Sequence, residues 1–382
     1  MVQAVRAGMS IRQAAREFGF GKSTVDLWVA RAYGQRLDRV DLGNRKSGRA
    51  WNRTAFELEQ RIAELRVELR ESILGESGAR AIRSVLQAEM ESAPGEATIN
   101  RVLARRGLQD GVRRIRRAPP PKGWYLPAVA AGQAEIDCFD FIEDLKIANG
   151  PLVDVLTAKS LHGSLTDAWV LEGKSTRGTI SPLLERWRRD GLPTYAQFDN
   201  DNVFQGAHHF ANAVGTISRL CLQLNVSPVF VPPLEHGMQN TIESFNALWQ
   251  AKLWQRCRVG SASELQMHSN RYIAAHRDRT QSLAEVAPRR HPMPKGFEFD
   301  LRAAPRGQLV FIRRTNERGD VNMLGQPFRV SPTWLHRLVR CEVHFDQQEI
   351  RCFALRRRAP QEQPMLAIIP YHRLDKPFRG AP

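Results

Sequence analysis

The stretch Tyr195-Ala-Gln-Phe198-Asp199-Asn200-Asp201-Asn202 decides how the largest part of this chain is interpreted. Its first four residues form a short apolar and aromatic run that follows Leu192-Pro193, and this pattern predicts a β-strand. The polar residues begin directly after the run. Asp199 is therefore expected at the carboxyl end of a strand.

A second acid lies downstream, at the start of a predicted helix. Residues 229–231 are Val-Phe-Val, which predicts the next strand, and Pro232-Pro233 ends it. Asn240-Thr-Ile-Glu243-Ser-Phe-Asn246 then opens a helix that continues through Leu253. Glu243 is therefore expected in the first turn of this helix.

A third acid lies upstream, in the segment Gln133-Ala-Glu-Ile-Asp137-Cys-Phe-Asp140. Hard divalent cations such as Mg²⁺ prefer oxygen ligands and are held by a few carboxylates together with substrate phosphate. Three such acids suit phosphoryl transfer with Mg²⁺ or Mn²⁺. Asp137 and Asp140 are three residues apart and would point to opposite faces of a strand, so the residues alone allow either as the first acid.

These motifs together resemble those of DDE transposases and integrases. Asp199-Asn200 followed by Phe204 is similar to the family's second-acid motif, and Glu243-Ser-Phe-Asn246 is similar to its third-acid helix. Gly132-Gln-Ala-Glu-Ile-Asp137 resembles the first-acid strand of insertion-sequence transposases and favours Asp137 over Asp140. The resemblance implies a ribonuclease H-like core in which Asp137, Asp199 and Glu243 converge and hold two Mg²⁺ or Mn²⁺ ions.

Two features depart from the family pattern. Asp201 stands where the family usually has glycine, and the separation between Asp199 and Glu243 is longer than is typical. Glu235 would restore the usual separation, but it lies in a proline-rich loop without the helix that the third acid requires. We therefore retain Glu243.

The composition predicts a polyanionic partner. The 382 residues carry a formal net charge of +16, and each phosphate that a basic side chain neutralises releases counterions and adds affinity. The five cysteines contain no Cys-x-x-Cys pair, so neither a disulfide framework nor a zinc finger is predicted. No apolar run has transmembrane length and the N-terminus lacks a secretory core, so we expect a cytoplasmic protein without membrane contact. The resemblance to insertion-sequence transposases implies that it is prokaryotic and nucleoid-associated.

Residues 1–40 are predicted to form a helix-turn-helix domain. Ser10-Ile-Arg-Gln13 has the spacing of a capping box, Gly19-Phe-Gly21 breaks the first helix, and Val25 and Trp28 give the second helix a buried face. In such domains the second helix enters the major groove of DNA. An ordinary helical hairpin is the alternative. The basic residues expected to contact DNA here are Arg12, Arg16, Lys22 and Arg31.

A second helical domain is predicted over residues 50–110. Its last helix has Ile99, Val102 and Leu103 on one face and ends at Gly107, and it resembles the second, winged helix-like DNA-recognition module of the same transposases. A basic, proline-rich linker follows over residues 111–128, and the alternative for it is a solvated connector. The candidate DNA contacts in these segments are Arg101, Arg105, Arg113, Arg114, Arg116 and Arg117.

The remaining chain is divided into two parts. Over residues 129–290, three strands followed by alternating helices and strands predict a mixed sheet flanked by helices. Lys252, on the helix that begins near Glu243, is a candidate DNA contact or a solvated lysine. Short alternating runs over residues 300–372 predict a small antiparallel β-barrel, which resembles the C-terminal barrel of Mu-like transposases. A dimerising or purely structural barrel is the alternative.

The combined expectation is a multidomain protein with N-terminal all-α helix-turn-helix modules, a central α/β ribonuclease H-like core and a C-terminal small antiparallel β-barrel. The resemblance implies a DNA transposase that binds element ends and target DNA as a homo-oligomer and catalyses metal-dependent cleavage and strand transfer. Two alternatives remain: a non-catalytic or domesticated DNA-binding regulator, and a viral-type integrase, which the missing zinc module disfavours.

Overall fold

The computed structural model describes residues 1–40, 54–109, 121–148, 150–206, 211–232, 235 and 237–372. The chain divides into two compact units, Met1–Gln60 and Arg61–Pro382. The described α-helices are α1 (Val2–Arg6), α2 (Ile11–Glu17), α3 (Lys22–Ala32), α4 (Phe56–Glu71), α5 (Ala79–Glu89), α6 (Glu96–Arg105), α7 (Pro127–Ala130), α8 (Thr176–Asp190), α9 (Asn202–Gln205), α10 (Thr216–Gln223), α11 (Asn240–Trp249) and α12 (Ala262–Glu285). The strands are β1 (Ile136–Lys146), β2 (Leu152–Ser160), β3 (Thr166–Leu171), β4 (Tyr195–Phe198), β5 (Ser227–Phe230), β6 (Gln308–Arg314), β7 (Asp320–Met323), β8 (Gln326–Arg329), β9 (Leu338–His344), β10 (Glu349–Ala354) and β11 (Met365–Pro370).

The N-terminal unit contains the helix-turn-helix that the sequence predicts. Ser10 caps α2, because its hydroxyl accepts a hydrogen bond from the Gln13 amide at 3.3 Å. Gly19 then adopts a positive φ of 68°, which ends α2 and turns the chain into α3. Ala14 and Val25 are buried where these helices pack. The helix-turn-helix prediction is confirmed.

The second unit is built on a nine-stranded sheet with the order β11-β10-β9-β6-β5-β4-β1-β2-β3. Strands β1, β2 and β3 form an antiparallel meander, and β4 and β5 add in parallel to β1. One face packs an aromatic core against α8 and α10, with Phe139, Phe198 and Phe230 at its centre. The other face packs against α11 and α12. The predicted mixed sheet flanked by helices is confirmed.

The C-terminal strands extend this sheet and do not form the small barrel that the sequence predicts. Strand β6 pairs in parallel with β5, and β9, β10 and β11 continue outward from β6. Phe311 on β6 stacks on Phe230 of β5, with ring centroids 5.5 Å apart, so the aromatic core runs across the junction. The edge of β5 is thereby covered, which satisfies its backbone groups. Strands β7 and β8 form a separate two-stranded sheet.

Candidate active site

Three acids lie near the carboxyl end of β4. Asp140 is within β1, Asp199 directly follows β4, and Glu243 lies in the first turn of α11. The parallel register pairs Cys138 with Gln197, and two further residues along each strand bring Asp140 level with Asp199. Helix α11 packs against β1 and β2, which carries Glu243 to the same region.

The carboxylate of Asp140 is destabilised in its charged form. Burial, together with the negative charges of Asp199 and Glu243, raises the pKa of Asp140 to about 7. Burial also raises the pKa of Asp199, with the charge of Asp201 adding to the effect. The structure therefore gathers negative charge where water does not fully screen it, and a bound cation would relieve that repulsion.

Asn246 orients Asp140 from the same helix that carries Glu243. Its amide nitrogen donates to Asp140 Oδ2 at 2.8 Å, and its amide oxygen accepts from the Thr157 hydroxyl at 2.7 Å. The Phe141 amide donates to the other carboxylate oxygen, Oδ1, at 3.0 Å. We assigned no role to Asn246 from the sequence, although its place one helical turn after Glu243 puts both residues on one helix face.

Lys174, at the start of the segment leading into α8, is a cation that sequence reasoning missed. Its ammonium lies 2.5 Å from Asp201 Oδ2 and also pairs with Glu143. Asp201 in turn caps α9 by accepting from the Val203 amide at 2.8 Å, and its own amide donates to Asp199 Oδ1 at 3.0 Å. Asp201 is thus held by a lysine that only the fold brings near.

Asp137, the first acid favoured by the sequence, forms buried ion pairs with two arginines. Arg186 donates to both of its carboxylate oxygens at 2.9 and 3.0 Å, and Arg290 donates to both at 2.9 and 2.7 Å. Trp187 adds an indole hydrogen bond at 3.2 Å. Asp137 is fully buried, and these cations hold its pKa well below the usual range. Because both oxygens of Asp137 already accept these hydrogen bonds, the first acid in the proposal below is Asp140.

The other residues singled out from the sequence lie elsewhere. Glu235 pairs with Arg314 at 2.6 Å, and Lys252 lies in the π-helical turn Gln250–Trp254, where it donates to the Gly75 carbonyl at 2.9 Å. Arg31 stacks over Trp28. The candidate DNA contacts with exposed side chains are Arg12, Arg16, Lys22, Arg101 and Arg105. The four linker arginines, Arg113, Arg114, Arg116 and Arg117, lie outside the described residues.

The donor set of the acid cluster fits a hard divalent cation. Asp140, Asp199 and Glu243 offer only oxygen ligands, and the charges of Asp199 and Glu243, which add to the effect of burial on the pKa of Asp140, would be offset by Mg²⁺ or Mn²⁺. Across the part of the chain that the structure describes, no three Asp, Glu, His or Cys side chains are grouped so that they could hold an ion. Binding would therefore require these side chains to draw together.

The raised pKa of Asp140 predicts that divalent metal binding depends on pH. The proton must leave before the carboxylate can ligate, so the apparent affinity for Mn²⁺ should fall about tenfold for each pH unit below about 7 and level off above it. Calorimetric titration with Mn²⁺ between about pH 5.5 and about pH 8.5 measures this dependence.

Stability without metal should show the opposite trend. Because the pKa of Asp140 is about 7 in the folded chain against 3.8 as its ordinary value, the folded state binds the proton more tightly in that interval. The contribution of Asp140 to the free energy of unfolding should therefore fall as pH rises from about 4 to about 7. Asp140→Asn should remove this pH-dependent contribution to stability. A Mn²⁺ affinity that does not change with pH would contradict the assignment of Asp140 as a metal ligand.

The N-terminal unit matches a known domain family. Residues 2–34 match the family model described as helix-turn-helix, Psq domain. No curated protein sequence matches the chain. Among the described residues, no helix is both long enough and apolar enough to cross a bilayer.

The chain is also similar, at low identity, to several solved structures. An intasome of simian T-cell lymphotropic virus in complex with PP2A regulatory subunit B56 gamma is 13% identical, with 78% of this chain and 95% of that chain covered and a TM-score of 0.33. The HTLV-2 integrase catalytic core domain in complex with magnesium is 12% identical, covering 41% and 87%, with a TM-score of 0.28. The BIV integrase catalytic core domain is 14% identical, covering 37% and 81%, with a TM-score of 0.28.

Proposed function

We propose that this protein is a DDE-type transposase: it binds the ends of a DNA element and catalyses metal-dependent strand cleavage and strand transfer. The observation that carries the proposal is the proximity of Asp140 to Asp199 and Glu243 near the carboxyl end of β4, where burial and the two neighbouring charges together raise the pKa of Asp140 to about 7. Acids whose pKa values are shifted by partial burial and by neighbouring charges are typical of functional sites.

In this proposal each residue of the site has a defined role. Asp140, Asp199 and Glu243 would hold the divalent ions. When bound, the ions activate water or a DNA 3′-hydroxyl and stabilise the charge that develops during phosphoryl transfer. Asn246 keeps the Asp140 carboxylate turned toward α11, and the Asp201 amide fixes Asp199. No side-chain nucleophile is required.

DNA recognition is assigned to the N-terminal helices. The helix-turn-helix match over residues 2–34 and the net charge of +16 support binding to duplex DNA. Helix α3 is the candidate recognition helix, and the exposed α6 residues Arg101 and Arg105 offer a second basic surface. Because two element ends must be joined together, we expect the active complex to be a homo-oligomer.

The alternative is a regulator that keeps the DNA-binding helices without catalysis. One observation favours it: in the described residues no three acidic, histidine or cysteine side chains are grouped to hold an ion. A regulator and an enzyme would bind the same DNA. Only the enzyme would cleave it.

The test uses duplexes cut from the sequences that flank the gene, incubated with the full chain and Mg²⁺. We expect nicking at one terminus of the element and joining of the freed 3′ end to a second duplex. Both products should disappear when EDTA removes the metal. Specific DNA binding without cleavage or joining, in Mg²⁺ and in Mn²⁺, would support the regulator and overturn the enzyme.

Substituting Lys22 tests the role of α3 in DNA binding. Lys22 is exposed at the first position of α3, where a lysine is suited to contact phosphate. Lys22→Gln should weaken binding to all duplexes about equally and reduce the slope of log affinity against log salt by about one. Fluorescence anisotropy over a salt series measures both quantities.

Lys295→Gln is the matched control, because Lys295 is exposed and lies far from α3 in sequence. It should leave both the affinity and the salt slope unchanged. Equal effects of the two substitutions would show that α3 has no special part in DNA binding.

A further inference from the structure

Arg313 on strand β6 contacts the loop that carries Asp199. Arg313 donates from Nη2 to the side-chain oxygen of Asn200 at 2.8 Å, and from Nη1 to the Phe230 carbonyl at 3.2 Å. Asn200 directly follows Asp199, the proposed metal ligand. A residue more than one hundred positions away in sequence therefore touches the residue next to the site.

The amide of Asn200 is held on both sides. Its nitrogen donates to the Val231 carbonyl just after β5, while its oxygen accepts from Arg313. With both ends of the amide fixed, the side chain cannot rotate without breaking a hydrogen bond. The backbone at Asp199 is thereby tied to β5 on one side and to β6 on the other.

Stacking, burial and hydrogen bonds hold the Arg313 side chain in this position. Its guanidinium lies 4.8 Å from the centre of the Phe311 ring, and burial lowers the pKa of Arg313 to about 10. The hydrogen bonds that the structure records for it all go to neutral oxygens, which are those of Phe230, Ile312, Asn322 and Asn200. A half-buried cation with such acceptors costs desolvation energy, which favours a role in orienting its partners over a role in stability.

We propose that Arg313 is a positioning residue for metal binding, which acts through Asn200 to fix the Asp199 carboxylate. The inference rests on the proposed function and extends it: the C-terminal strands complete the active site of this chain. Residues that orient metal ligands without touching the ion typically contribute about 10-fold to 100-fold in metal affinity. Loss of the Arg313 contact should therefore weaken metal binding even though the ligands remain.

The experiment is a double-mutant cycle on metal affinity in the full chain without DNA. Arg313→Met and Asn200→Ala should each weaken Mn²⁺ binding, measured by calorimetric titration, by about 10-fold. The double variant should bind no more weakly than the weaker single variant, because both substitutions break the same connection. Arg313→Lys keeps the charge and the packed stem but loses the two-pronged donor, so it should fall between wild type and Arg313→Met.

Arg314→Met is the matched control. Arg314 is the next residue on β6, and it contacts Glu235 and the His336 carbonyl instead of Asn200. Its removal should leave Mn²⁺ affinity unchanged. Thermal unfolding of every variant separates metal affinity from stability. If Arg313→Met does not fold, Arg313→Lys and Asn200→Ala carry the same comparison.

Three results would contradict a positioning role for Arg313. The first is an unchanged Mn²⁺ affinity in folded Arg313→Met or Arg313→Lys, and the second is a lowered unfolding temperature with unchanged Mn²⁺ affinity. The third is a loss of Mn²⁺ affinity in the double variant that equals the product of the two single losses. Failure of the proposed function is distinguishable, because it would show as wild-type protein whose Mn²⁺ binding survives Asp199→Asn. Binding that depends on Asp199 but not on Arg313 overturns only this inference.

Discussion

Asp140→Asn should abolish strand cleavage and joining while leaving the protein as stable as wild type or more stable. The substitution removes one of the acids proposed to hold the metal, and it also removes a carboxylate whose charged form is disfavoured by burial and by the neighbouring charges. Since residues that only orient metal ligands contribute up to about 100-fold, loss of a ligand should lower the cleavage rate by more than about 100-fold. Gel assays of Mg²⁺-dependent cleavage and joining measure the effect.

The same result is expected for Asp199→Asn and Glu243→Gln. Two acids of the same region serve as controls. Glu235→Gln should keep most of the activity, because Glu235 pairs with Arg314. Asp201→Asn should also keep most of it, because an asparagine oxygen can still accept the hydrogen bond from the Val203 amide that caps α9. DNA affinity should be almost unchanged in all five variants.

The choice between Asp140 and Asp137 is decided by the same assay. If Asp140→Asn cleaves and joins DNA at the wild-type rate, Asp140 is not the first acid. If Asp137→Asn is inactive at a temperature at which it is folded, the first-acid role returns to Asp137. Wild-type activity in Asp140→Asn, Asp199→Asn and Glu243→Gln alike would remove the DDE mechanism.

The acids proposed for the site are marked by local sequence patterns. A strand that ends in Asp199 and a helix that opens with Glu243 are each visible within a few residues. The choice between Asp137 and Asp140 was not visible, since it depends on Arg186 and Arg290, which only the fold brings near. One signal was available: Arg186 lies between Leu183 and Trp187 on the buried face of α8, and a buried charge requires a partner.

The pairing of the C-terminal strands was also not predictable from local sequence patterns. Alternating short runs correctly indicated strands, but pairing partners depend on which sheet edge is open, and no local pattern records that. Leu309, Val310, Phe311 and Ile312 are all buried, and such a continuous apolar run is typical of a strand covered on both faces inside a larger sheet. That run indicated that β6 belongs to the central sheet.

Helix α12 was not predicted from the sequence because its exposed polar positions outnumber its buried apolar ones.

Asp137→Asn should destabilise the fold strongly, in contrast to Asp140→Asn. Arg186 and Asp137 are both fully buried, and Arg290 closes the other side of the carboxylate. Removing the negative charge leaves two arginines without their main acceptor, which for a buried pair costs about 3–5 kcal/mol. Urea unfolding should show this loss. Exposed Asp278 on α12 provides the control, because Asp278→Asn should change the free energy of unfolding by no more than about 0.5 kcal/mol.

The same ion pairs predict how stability responds to acid. The pKa of Asp137 is depressed below its ordinary value of 3.8, so the stabilisation is fully present above about pH 4 and is lost as pH falls below it toward the folded-state pKa. Wild-type protein should therefore lose stability on acidification in a way that Asp137→Asn does not. Combining Asp137→Asn with Arg186→Met should cost less than the sum of the two single effects, since each breaks the same contact. If Asp137→Asn unfolds at the wild-type urea concentration, the carboxylate is not structural, and its place in the catalytic trio must be reconsidered.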